Sequence, residues 1–113
     1  MKIFRVVFIV FSVFTATAHA AAPTIEIHIA NHVFVPDIVK IPAQQKVRLM
    51  IINDDPSPEE FESYELNREK VIAGGSKAII FVGPLAQGDY PFFGEFNPKS
   101  AQGILRVVDQ VAL

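Results

Sequence analysis

The stretch Lys46-Val47-Arg48-Leu49-Met50-Ile51-Ile52-Asn53-Asp54-Asp55-Pro56-Ser57-Pro58-Glu59-Glu60-Phe61-Glu62-Ser63 decides the fold. The second half of residues 46–53 is apolar on both faces of an extended chain, which predicts a strand in the middle of a sheet. Residues 54–58 hold Pro56 and Pro58, which cannot donate to a ladder, beside Asp and Ser, which favour turns; they read as a loop. Extended structure resumes at residues 59–64. There the alternation of a strand sends Glu60 and Glu62 to one face and Glu59 and Phe61 to the other, with Phe61 as the core anchor.

Toward the N-terminus, Ile25, Ile27 and Ile29 alternate with Glu26 and His28, a half-buried first strand with His28 pointing outward. Val33-Phe34-Val35 and Ile38-Val39-Lys40-Ile41 read as short strands at edge positions, punctuated by Pro36 and Pro42. Toward the C-terminus, residues 65–70 read either as a short helical turn or, with Val71-Ile72, as a connecting strand. Gly74-Gly75 is a turn, residues 77–82 are a buried strand ending at Gly83-Pro84, and Gln87-Gly88-Asp89 turns the chain into Tyr90-Pro91-Phe92-Phe93. A loop over residues 94–102 precedes the terminal strand Gly103-Ile104-Leu105-Arg106-Val107-Val108. About seven or eight short strands at regular spacing, with no convincing helix, predict an all-β, antiparallel β-sandwich of Greek-key type.

Residues 22–113 account for that single domain, and residues 1–20 read as a signal peptide. Lys2 and Arg5 precede an apolar run over residues 6–14 that is too short to span a bilayer. Ala18-His19-Ala20 follows as an A-x-A cleavage pattern, so cleavage after Ala20 and export, to a periplasm, are expected. Cleavage would leave 8 Lys plus Arg against 12 Asp plus Glu, a formal charge of −4, and only His28 and His32 as imidazoles. Nothing in that balance supports binding to a nucleic-acid backbone, which needs clustered Lys and Arg.

The chain has no cysteine, which excludes disulfides, thiolate-ligated metal sites and a Cys nucleophile. It has no Gly-rich phosphate loop, no G-x-S-x-G elbow and no H-E-x-x-H. Its chemistry must use oxygen and imidazole ligands. The acids are gathered to match: Asp54, Asp55, Glu59, Glu60, Glu62, Glu65 and Glu69 place seven of the twelve within sixteen residues. Carboxylates this close repel unless a cation or a proton intervenes. Either a metal ion relieves them, or they form a solvated acidic surface with Arg68 and Lys70 as partial neutralisers. A second constellation sets Glu95 among Tyr90, Phe92, Phe93 and Phe96. His32, at a strand end before the apolar Val33-Phe34-Val35, is a better candidate ligand than the strand-borne His28.

A strand ending in Asn53, a Pro-containing loop, an acid-bearing strand, Gly88-x-Tyr90, the aromatic loop and the closing strand from Gly103 together resemble the cupredoxin domain. In blue-copper members Gly94 stands at the position of the ligand Cys, Asn97 at that of the second His and Ala101 near that of the axial Met, while Glu59 or Glu60 falls in the region of the first His. The resemblance therefore implies the fold without the blue-copper function. Asn31-His32-x-Phe34-x-Pro36, Glu59-Glu60-Phe61-Glu62-Ser63 and Phe92-Phe93-Gly94-Glu95-Phe96 look like the cupredoxin branch of ferrous-iron uptake systems, which includes the cupredoxin domain of EfeO and the small periplasmic FtrB-type proteins. Members often read Glu-Phe-His where this chain has Glu95-Phe96-Asn97.

That resemblance implies a periplasmic component that binds iron or copper and supports oxidation of ferrous to ferric iron for an inner-membrane high-affinity iron permease. With it, Glu60, Glu62 and Glu95 are expected as principal metal ligands, Glu59 and His32 as auxiliary ones, and Asp55 as a loop carboxylate that captures the ion. The alternatives are a metal-free docking subunit of the transport complex, or a copper or iron metallochaperone without redox activity.

Overall fold

The computed structural model describes residues 2–15 and 21–109. Residues 2–15 carry no regular secondary structure, and the expected cleavage motif at residues 18–20 lies outside the described residues. Among the described residues, no helix is long and apolar enough to cross a membrane. They contain nine strands: β1 (Thr24–Ala30), β2 (Val33–Val35), β3 (Ile38–Pro42), β4 (Val47–Asn53), β5 (Glu59–Ser63), β6 (Arg68–Ile72), β7 (Lys77–Val82), β8 (Gly88–Gly94) and β9 (Gln102–Val108).

The strands form two sheets, one in the order β2-β1-β4-β7 and the other β3-β9-β8-β5-β6. The expected all-β sandwich is what the chain forms, with more strands than the seven or eight anticipated and with one difference in direction. β1 runs parallel to β4 and β3 parallel to β9; the remaining pairs are antiparallel. The reason is the crossing between sheets. After the β1–β2 hairpin the chain moves to the other sheet as β3 and returns as β4 beside β1, running in β1's direction.

β4 sits inside its sheet as its sequence predicts: Val47, Leu49 and Ile51 are fully buried while Arg48 is exposed. The ambiguous residues 65–70 divide into a turn, in which Asn67 takes the left-handed φ of 52° that Asn tolerates, and the edge strand β6. Three phenylalanines lock the sheets together. Phe61 stacks on Phe92 at 5.0 Å between centroids, and Phe34 meets Phe92 edge-on at 4.9 Å. Gly103 makes room for this cluster, because a Cβ there would lie 2.3 Å from the Phe92 ring.

Asn53, at the end of β4, is buried and organises the loop that follows. Its Nδ2 donates to the carbonyls of Ser57 at 2.9 Å and Ile72 at 3.1 Å, and its Oδ1 accepts from the Asp55 N–H at 3.1 Å. Asn53→Ala would strip these partners from backbone groups that have no ready access to water. A loss of about 2 kcal/mol is expected, read by denaturant unfolding at unchanged m-value.

Candidate functional site

The pairing of β5 with its two neighbours distributes the acids. Phe61 points into the core, so Glu60 and Glu62 take the outer face of the sheet. Glu69 of β6 lies directly opposite Glu62 and shares that face. One carboxylate oxygen from each of Glu60, Glu62 and Glu69 can be chosen so that all lie within 4.8 Å of one another. Two of these residues were expected as ligands; Glu69 was counted in the acidic run but not assigned. Its signal in the sequence is register, since a four-residue turn at residues 64–67 brings position 69 opposite position 62.

Nothing basic neutralises this group through an ion pair among the described residues; those pairs join His28 to Glu26 and Asp54, His32 to Asp55, and Arg106 to Asp89. Arg68, a candidate neutraliser, gives its Nε to the Phe81 carbonyl at 2.9 Å and another guanidinium nitrogen to the Asn67 carbonyl at 3.0 Å. The Glu60 carboxyl is pushed up to about 7, by partial desolvation first, then by the hydrogen bond and charge of Glu69 and those of Glu62.

A carboxyl whose pKa is raised by folding binds more protons in the folded than in the unfolded chain between its ordinary value and about 7. The repulsion is therefore absent below the ordinary value and fully present above about 7, so stability falls as pH rises through that window. Thermal melts across the window should show this decline in the wild type and a flatter profile in Glu60→Gln.

The other expected ligands are placed elsewhere. The β5–β8 pairing, continued by the Glu95 N–H donating to the Glu60 carbonyl at 2.9 Å, sets Glu95 opposite Glu60. Its side chain is exposed and does not join the three converging carboxylates. Nor is it enclosed by rings: Phe92 is buried in the core, Phe93 packs on Tyr64 at 5.5 Å, and Phe96 is about half exposed. The chain leaves the strand at Gly94, which carries Glu95 away from the aromatic cluster.

Asp55 and His32 meet each other at the β1–β2 turn. Asp55 accepts the N–H groups of Asn31 at 2.7 Å and His32 at 2.9 Å, fixing two residues whose φ angles are 54° and 61°. The His32 N–H, opposed by desolvation and joined by the Asn31 N–H, holds the Asp55 carboxyl below the usual carboxylate range. The His32 carbonyl in turn accepts the Ser100 hydroxyl at 2.7 Å, tying this turn to the loop after β8. His28 pairs with Asp54 at 2.7 Å on the surface.

Glu59 lies on the inner face, as alternation predicts, and is 2% exposed. Its Oε1 accepts the Glu60 and Phe96 N–H groups, each at 2.9 Å, and its Oε2 accepts Asn97 Nδ2 at 2.7 Å. Gly94 and Ala101 close around it: a Cβ on Gly94 would fall 2.6 Å from Glu59 Cδ and 2.7 Å from Ala101 Cβ.

A family model described as "Cupredoxin-like domain" matches residues 3–107. The uncharacterized protein RP394 of Rickettsia prowazekii (strain Madrid E) is 44% identical over 85 residues, covering 75% of this chain and 68% of that one. Among solved structures, the metal-binding domain of the Cu(I)-exporting P-type ATPase CopA of Streptococcus pneumoniae D39 superposes with a TM-score of 0.69 at 18% identity, over 81% of this chain and 92% of that one. Auracyanin A, a blue copper protein of Chloroflexus aurantiacus, gives 0.65 at 15% identity over 77% and 100%, and the purple cupredoxin of Nitrosopumilus maritimus 0.59 at 20% over 74% and 98%. At such identities the likeness establishes the fold alone.

The CopA domain and auracyanin A are copper proteins, and the positions that the blue-copper resemblance singles out in this sequence do not suit that metal. Glycine and alanine offer no donor, Asn97 turns its N–H inward, and Glu59 is already held by hydrogen bonds on both oxygens. Two facing sheets, the strand-and-loop arrangement around Gly94 and a family match over nearly the whole chain agree: this protein belongs to the cupredoxin-like domain family, a metal-binding fold.

Proposed function

We propose that this is an exported iron-handling protein that receives ferrous iron on the open face of β5 and β6 and supports its oxidation for an inner-membrane iron permease. The observation that carries the reading is the convergence of Glu60, Glu62 and Glu69 with no ion-pair partner among the described residues. Such a group gains most from a hard, multiply charged cation, and carboxylate oxygen ligands suit iron better than Cu(I), which prefers sulfur. Anionic oxygens favour the ferric over the ferrous state, because the ion of higher charge gains more from them. The electron leaves to dioxygen or to a partner oxidant. Glu95, opposite Glu60, adds negative potential at the rim.

The test is to mix the purified protein with ferrous iron under air and follow ferric formation. Acceleration is expected in the wild type and its loss in Glu60→Gln/Glu69→Gln. In cells that encode the protein, the same double variant should fail to restore iron uptake to a deletion strain. The hydrogen-bonded carboxylate at the family's ligand positions favours a second reading, a metal-free docking subunit of the same transport system. It predicts normal uptake by the double variant and no iron binding at micromolar metal.

A further inference from the structure

Glu59, Gly94, Asn97 and Ala101, the positions singled out by the resemblance to blue-copper members, converge at one corner of the sandwich, and the object at its centre is a side chain. The Glu59 carboxylate gathers one N–H from β5 itself and two groups from the loop after β8, the Phe96 N–H and Asn97 Nδ2. Among the described residues no buried side-chain polar atom lacks a hydrogen-bond partner.

We propose that the Glu59 carboxylate is an internal replacement for the metal: a charge-inverted hub that ties β5 to the loop over residues 94–101 and keeps this corner closed to copper. A metal ion cross-links such a corner by collecting lone pairs on a positive centre. Here a negative centre collects the positive ends of N–H dipoles, and the same strand and loop are joined. The inversion also explains the exclusion. A cation entering the corner would meet three N–H groups aimed at its position and would have to displace each of them from a buried oxygen. Space is closed as well, since even a methyl group on Gly94 would collide with the carboxylate. Glu59 is thus a positioning residue for the loop that carries Phe96 and Asn97. The inference holds whether or not iron binds on the opposite face of β5.

The test combines amide hydrogen exchange with calorimetric titration by Cu(I), on protein purified after expression of the full chain. Glu59→Ala is expected to speed exchange at the Phe96 amide by about tenfold to a hundredfold, the loss that follows removal of a hydrogen bond to a charged group. Glu59→Gln should recover most of that protection, because its Oε1 accepts the two backbone N–H groups and its amide donates to Asn97 once the Asn97 amide turns over. Should Glu59→Ala not fold, Asn97→Ala carries the same readout, with faster exchange at Phe96 expected. Cu(I) should give the same heats with wild type and Glu59→Gln. Unchanged Phe96 protection in Asn97→Ala, or stoichiometric Cu(I) binding that Glu59→Gln abolishes and Glu60→Gln/Glu69→Gln leaves intact, would overturn the proposal.

Discussion

Gly94→Ala is expected to destabilise the protein by about 3 kcal/mol, a large part of what a domain of this size has to lose. The backbone at Gly94 does not require glycine; the neighbours do. Its missing Cβ leaves the room taken by Glu59 Cδ at 2.6 Å and Ala101 Cβ at 2.7 Å, and both are buried, Glu59 in β5, which pairs with β8, and Ala101 in the loop just before β9. Neither can retreat without breaking the hydrogen bonds of Glu59 or shifting the loop that the Gly94 N–H joins to the Ala101 carbonyl at 2.8 Å. In a Glu59→Ala background the added methyl meets one obstacle fewer, so the two substitutions should be less than additive, with a coupling of about 1 to 2 kcal/mol. Urea unfolding of the four proteins in the cycle measures this. Strict additivity would mean that Gly94 and Glu59 do not share the corner.

The second large effect is on metal affinity. Glu60→Gln/Glu69→Gln keeps the shape of the sheet face and removes two of the three converging charges, so affinity for ferrous iron should fall by about a hundredfold, tenfold for each carboxylate. The single variant Glu62→Gln should cost about tenfold. Because protons compete with the ion at Glu60, whose carboxyl titrates near 7, wild-type affinity should strengthen as pH rises through neutrality, and Glu60→Gln should lose most of that dependence. Anaerobic calorimetry on either side of neutrality measures both.

Much of this molecule can be read in its residues, to a depth that differs from element to element. β4, β7 and β9 announce themselves by apolar runs, and β5 by an alternation strict enough to assign faces to Glu59, Glu60, Phe61 and Glu62. β6 does not, because an edge strand exposed along four of its five residues has no buried side to impose a period. The parallel pairings were equally hidden, since they follow from which sheet each strand joins.

At the site the limit is the same one. Alternation places Glu59 inside, but its partners Phe96 and Asn97 lie more than thirty-five residues away and arrive through the β5–β8 pairing. Asp55 is the converse case: its residue type reads as a loop carboxylate that captures an ion, and in the fold it accepts the Asn31 and His32 N–H groups of a left-handed turn. Residue type suggested metal chemistry in both cases, and hydrogen-bond geometry assigned them structural work.

The proposed iron site is the face of β5 and β6, away from the closed corner around Glu59. Ferrous iron is paramagnetic, so titrating it anaerobically into isotopically labelled protein and following amide signals by NMR locates it directly. Selective early broadening at Glu60, Glu62 and Glu69, lost in Glu60→Gln/Glu69→Gln, is the predicted result. Broadening centred instead on Gly94, Asn97 and Ala101 and unaffected by that double substitution would contradict it.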